Sequence, residues 1–323
     1  MLQPLRFEGV GLMPSSRDVA CLAPLLAKEA RFSRPTVATA TDTPEASRRP
    51  RAKPSVRDAT FVVSGAGDEF ASRQRSVLTL LADVGILAPE VVTLPREATA
   101  CRALSPCRRQ WERCVMHPGR MYTLRHRMSS HGLVNYMTHL AVVHEVVRRN
   151  LSFALIIEDD AVLSLPARVA PPRALGAALD SLARASVDYS VMYVGGSERQ
   201  HAAPSWREAA AHTVARTNLT IRAFRAPRSR SGGGSGGGGG GSRCAHGYVL
   251  SAAGARAWLE RAPHATQQVD RHHEHMYQTM HNWVVDYVEP PLLCQAYRHA
   301  EHRNFTHHVD PDCPRIADVP YSA

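Results

Sequence analysis

The stretch Phe153–Asp160 (FALIIEDD) joins five consecutive apolar residues to three consecutive carboxylates. An unbroken apolar run this short reads as a strand buried on both faces, the type that parallel sheets contain. Its flanks agree. Upstream, Leu133, Tyr136, Met137, Leu140, Val143 and Val147 recur on one face of a helix that Asn150 stops. Earlier still, Thr60–Ser64 (TFVVS) is a β-branched run ending at Gly65 and Gly67, followed by a helical pattern over Arg75–Val84 and a second short run, Glu90–Leu94. Downstream come a helix over Leu175–Ala183, a strand over Tyr189–Val194 closed by Gly195-Gly196, and a strand over His246–Ser251 (HGYVLS). A helix over Ala252–Arg261 and a last strand over Trp283–Val288 complete the pattern, with Pro290-Pro291 as its stop. Strands alternating with helices at this spacing predict an α/β domain built on a parallel sheet.

The chain has 323 residues, 44% of them hydrophobic, enough for one core of about 200–250 residues. The domain is expected over residues 58–298. Residues 1–57, rich in Arg, Ser, Pro and Thr, read as a disordered leader. Residues 226–243 carry nine glycines and read as a flexible insert, with no phosphate-loop pattern and no strand feeding into it. Residues 299–323 read as an irregular tail. No apolar run approaches the ~20 residues of a bilayer span, so a soluble protein without a transmembrane segment is expected. The net charge is +10, yet 37 of the 39 basic residues are arginines scattered along the chain, without interleaved aromatics. That distribution argues against nucleic acid as a partner.

Seven cysteines form no CxxC pair, which argues against a zinc ribbon or a thioredoxin-type site. Cys101, Cys107 and Cys114 lie close enough in sequence to permit a local disulfide. Three of the five asparagines, Asn150, Asn218 and Asn304, begin N-glycosylation sequons. They point to the lumen of the endoplasmic reticulum or Golgi, although no clean signal peptide precedes them.

Three adjacent carboxylates at the end of a buried strand repel one another, and a cation is the simplest remedy. The carboxyl end of a strand is also where open α/β sheets hold ligands. Strand alternation points Glu158 and Asp160 together and Asp159 to the other side, where it would cap or hydrogen-bond locally. The pair suits a hard divalent ion, Mn²⁺ or Mg²⁺, completed by diphosphate oxygens and water. A solvated strand end capping the next helix is the competing reading.

Thr138-His139, Ala154–Ala161, Tyr193–Gly196, His246–Ser251, Gly254-Ala255, Val269-Asp270 and Pro291 with Gln295 together resemble the motifs of the family 25 glycosyltransferases. That group contains the lipooligosaccharide and collagen galactosyltransferases, and the resemblance spans about residues 59–298. It implies a GT-A-like fold, a single domain with a Rossmann-like donor half, and transfer of a hexose, galactose or glucose, with inversion. The donor would be a nucleotide sugar such as a UDP-hexose, and the acceptor a hydroxyl of a protein or glycan. It further implies that Asp160 ligates the metal, that Glu158 meets the metal shell or the ribose, and that Asp159, Thr138 and His139 belong to the nucleotide-sugar site. His246, at the family's late histidine, would be a further metal ligand. Asp270 would be the base that deprotonates the acceptor, with Glu274 and Asp286 as rivals.

The first loop, Ser64–Asp68, replaces the family's Asn-Leu-Asp start, and Thr138 stands where Ser is usual. A catalytically inactive relative that keeps the fold as a binding or scaffold module is therefore the alternative. The cluster His272-His273-Glu274-His275, with His281, is a third signal, for zinc. It lacks the second histidine of an HExxH site, so a histidine-rich solvated helix is the plainer reading.

Overall fold

The computed structural model describes residues 30–34, 55–56, 59–65, 67–93, 130–168, 170–186, 188–195, 207–226, 246–261, 269, 273, 276–277 and 280–295. Nine strands form one sheet: β1 (Arg31–Ser33), β2 (Thr60–Ser64), β3 (Glu90–Thr93), β4 (Phe153–Glu158), β6 (Val191–Tyr193), β7 (Arg207–Thr213), β8 (Thr220–Arg225), β9 (Gly247–Ser251) and β10 (Val285–Glu289). Their order is β1-β3-β2-β4-β9-β6-β10-β8-β7. A small second sheet pairs β5 (Ala161–Leu163) with β11 (Leu293–Gln295). The α/β class is as expected, but the sheet is mixed. β4 lies parallel to β2 on one side and antiparallel to β9 on the other, and the hairpin β7–β8 extends the far edge.

Helices cover both faces. α1 (Asp68–Asp83) and α4 (Pro172–Ala185) lie on one, with Val77, Leu81, Leu175, Leu179 and Leu182 in a core shared with Leu155 and Ile157. α2 (Ser130–Arg148) and α5 (Ala252–Arg261) lie on the other, with Tyr136, Leu140, Val143 and Trp258 packed against Ala154 and Ile156. The four-residue α3 (Leu165–Arg168) lies between β5 and α4. Among the described residues, no helix is long and apolar enough to cross a membrane.

Two helices end in the same way. Beyond α1, Ile86 N–H bonds Leu81 C=O at 2.8 Å and Gly85 N–H bonds Ala82 C=O at 3.0 Å, with Gly85 at φ 84°. Beyond α2, Leu151 N–H reaches Val146 C=O at 3.0 Å and Asn150 N–H reaches Val147 C=O at 3.1 Å, with Asn150 at φ 52°. Both are Schellman ends, which need a residue that tolerates a left-handed backbone. The expected stop at Asn150 has this physical cause.

The leader expectation needs correction at two places. Arg31–Ser33 is an edge strand antiparallel to β3, and Val56 is fully buried, its N–H bonded to Asp180 Oδ1 at 2.6 Å. Phe32 packs edge-on against Phe61, and Arg34 pairs with Glu90. The rest of the leader, residues 227–243 of the glycine insert, and the tail lie outside the described residues.

Candidate functional site

The chain runs from β2 through α1 to β3 on one side, then returns through α2 to β4 on the other side of β2. The strand order therefore reverses between β2 and β4, with α1 and α2 on opposite faces. A crevice forms at the carboxyl ends of the strands at such a point, where open sheets bind ligands. Ser64 ends β2 and Glu158 ends β4, so the acidic triplet lies at the carboxyl ends of these two strands, at the point of reversal. β9 runs antiparallel, which brings its start to the same place: Ile157 is registered with Gly247, and Glu158 N–H bonds His246 C=O at 3.0 Å.

Glu158, Asp160 and His246 each offer a ligand atom, and these atoms lie within 4.8 Å of one another. Glu158 and Asp160 do come together, though not by strand alternation. β4 ends at Glu158, and Asp159 and Asp160 form a turn into β5. Two carboxylates and one imidazole are a donor set that fits a divalent cation.

Asp159 is held from the α1 side of the sheet and Glu158 from the α2 side. Asp159, buried, accepts a 2.5 Å hydrogen bond from Ser64 Oγ and pairs with Arg73 at 2.5 Å. Arg73 also reaches Asp160 at 3.3 Å. Gln74 Nε2 donates to Ser64 Oγ at 2.9 Å. Burial pushes the Asp159 carboxyl up to about 6, against the pull of Arg73 and Ser64 and with help from its acidic neighbours. Burial also opposes ionisation of Glu158, but hydrogen bonds to His139 and His246 outweigh it and hold that carboxyl below the usual range. Asn135 Nδ2 donates to Glu158 Oε1 at 2.9 Å, His139 Nε2 lies 3.3 Å from the same oxygen, and His246 Nδ1 lies 3.3 Å from Oε2. His139 is fully buried, with Nδ1 2.7 Å from the Tyr248 hydroxyl. Thr138, its neighbour on α2, is buried too.

The structure thus gathers Glu158, Asp159, Asp160, His139 and His246 in one place. Asp270 and Glu274 lie outside the described residues. Asp286 is removed as a rival base. It is 0% exposed, accepts from Arg225 Nε and Nη2 (2.9 and 3.2 Å) and from the Ser186 hydroxyl, and faces the α1/α4 side of the sheet, whereas Glu158 faces the α2/α5 side. His273 also departs from expectation. It is buried against Trp258 and Trp283 with Nδ1 2.7 Å from the Tyr193 hydroxyl, so this member of the histidine run is a core residue.

Arg73, Asn135 and Tyr248 were not singled out from sequence. Asn135 and His139 stand four residues apart on α2 and therefore share a face, a signal that could have paired them. Arg73 had no such mark, because a charged residue in the second turn of a helix reads as solvated surface.

No protein-family model matches the chain, and no curated protein matches it.

Proposed function

We propose that the protein is a metal-dependent inverting glycosyltransferase that moves a hexose from a nucleotide sugar to a hydroxyl of a protein or glycan. The observation that carries this reading is the convergence of Glu158, Asp160 and His246 at the carboxyl ends of β2 and β4, where the strand order reverses. The resemblance to family 25 motifs supports it, and the mixed sheet with helices on both faces is compatible with a GT-A-like fold. Asp160 and His246 would hold the ion, with Glu158 beside them. The imidazole favours Mn²⁺ over Mg²⁺, which prefers oxygen ligands. When bound, the ion supplies positive charge against the diphosphate that departs in such a transfer.

The chain's own residues have distinct tasks. Arg73 already bridges Asp159 and Asp160, so it can offer guanidinium charge to a phosphate at the crevice mouth. Ser64 and Gln74 hold Asp159 in place. Deprotonation of the acceptor is assigned to Asp270, with Glu274 as second candidate, on the resemblance alone. Asn150 and Asn218 both sit exposed in turns, and Cys294 is disulfide-bonded. These features support an oxidising secretory lumen.

Calorimetric titration of the full chain with UDP, with and without Mn²⁺, tests the proposal. Nucleotide binding that requires the ion, together with donor hydrolysis in a panel of nucleotide sugars, is expected. Nucleotide binding indifferent to Mn²⁺, or none, would reject the transferase and favour the inactive scaffold suggested by the altered first loop.

A further inference from the structure

Glu158 is a carboxylate, and an ionised carboxylate accepts hydrogen bonds without donating any. Every nitrogen close to it must therefore present a proton. Asn135 Nδ2 does so at 2.9 Å. His139 must do so with Nε2, which lies 3.3 Å from Oε1, and this leaves the lone pair of a neutral ring on Nδ1. The Tyr248 hydroxyl, 2.7 Å away, then donates to Nδ1. The Tyr248 ring is stacked on His139 and wedged against Trp258 and His273, so its direction is set by the core. On the other oxygen, His246 Nδ1 lies 3.3 Å from Oε2 and must carry the proton there. In the neutral ring the lone pair of His246 is then on Nε2.

We propose that Glu158 is a positioning residue that acts through His246: backed by Asn135, His139 and Tyr248, it locks His246 in the Nδ1–H form and so makes Nε2 the ion-binding nitrogen. Asp160 is then the carboxylate that meets the ion. A histidine ligand whose second nitrogen donates to a carboxylate is oriented and made more basic by it, and loss of such a partner typically weakens metal binding about 10–100-fold. This deepens the reading of the site as an ion site and rests on it. It also explains why Glu158 is turned inward, towards three donors on two different elements, while Asp160 lies on the turn.

The test uses the full chain with ¹⁵N-labelled histidine, freed of metal. Long-range ¹H–¹⁵N correlation identifies which ring nitrogen of each histidine is protonated, and the His246 signals are assigned by their loss in His246→Asn. His246 is expected as Nδ1–H at neutral pH. Glu158→Gln can present an amide N–H to Nδ1, so it is expected to move His246 towards the Nε2–H form and to weaken Mn²⁺ binding about 10–100-fold by calorimetry. Tyr248→Phe removes only a hydroxyl and keeps the ring. It is expected to weaken Mn²⁺ binding by a smaller factor and serves should Glu158→Gln not fold. An Nε2–H or doubly protonated His246 in the wild type overturns the proposal. So does a Glu158→Gln loss as deep as that of Asp160→Asn, which would make Glu158 a ligand in its own right. If wild-type chain takes up no Mn²⁺ while His246 shows the expected form, it is the ion-site reading that fails.

Discussion

Two acids show how the same side-chain type serves opposite ends. Asp286, in the middle of β10, is fully buried, and its oxygens are taken by Arg225 and by Ser186. Asp160, one turn beyond β4, shares Arg73 with Asp159 and stands beside Glu158 and His246 at the crevice. The first acid has one cation of its own, and its neighbours complete its hydrogen bonding. The second is one of three adjacent carboxylates, and among the described residues a single arginine, Arg73, is shared between two of them. Buried charge that is paired within one pocket belongs to the fold, whereas acids crowded at a sheet's carboxyl edge beside a histidine are the arrangement that can take a cation.

The difference can be broken most forcefully at Arg225. Arg225→Ala leaves Asp286 buried without its cation and is expected to destabilise the fold by about 3–5 kcal/mol, read by urea denaturation, with Mn²⁺ affinity unchanged in the folded fraction. Asp160→Asn should do the reverse. Turnover is expected to fall by about 10²–10³-fold or more, the scale of losing a group that supports developing charge. The ion-free melting temperature should hold or rise, because a repulsive charge has gone. Undiminished turnover in that variant would remove Asp160 from the chemistry. Arg73→Ala should weaken nucleotide binding about tenfold to a hundredfold, as expected for a charge-assisted hydrogen bond of about 1.5–3 kcal/mol; unchanged UDP affinity would return Arg73 to a purely structural pairing.

The smallest expected effect comes from two acids of the structural kind, Glu145 on α2 and Glu90 at the start of β3. Glu145 is hydrogen-bonded by Arg148 and Arg149, and Glu90 by Arg149 and Arg34, and these contacts hold both carboxyls below their usual value of 4.5 against the opposing effect of burial. Folded values lower than unfolded ones mean that the stabilisation is complete above 4.5 and disappears as pH falls through the folded values. Melting temperature should therefore drop on acidification below that point, and Glu145→Gln should flatten the drop. The pairs are partly solvated, so each is worth about 0.2–1 kcal/mol.

What could be foreseen from sequence follows the strength of local signals. β4, β2 and α2 each carry a pattern that chain-local physics explains: an apolar run, a β-branched run, and a helical period closed by Asn150. The antiparallel placement of β9 beside β4 has no local mark, since pairing partners are chosen by topology. The hairpin β7–β8 has no mark in the sequence because Arg207–Thr213 (REAAAHT) is poor in β-formers; it is a strand by virtue of pairing with β8 and packing under α4. Likewise β1 is three residues long within a polar segment and exists through its register with β3. His273 reads as a solvated histidine in sequence because its neighbours, Tyr193 and Trp258, come from other elements. The acidic triplet was legible because its cost is local. Its partners Arg73, Asn135 and Tyr248 belong to three other elements, and only the fold assembles them.

The left-handed turn at Asn150 immediately precedes β4, while the triplet closes the same strand. Six residues of extended chain separate the two by roughly 20 Å. An oligosaccharide attached at Asn150 would thus leave from the floor of the sheet and substrates would arrive at its roof, so decoration at that asparagine could grow without crowding the entrance.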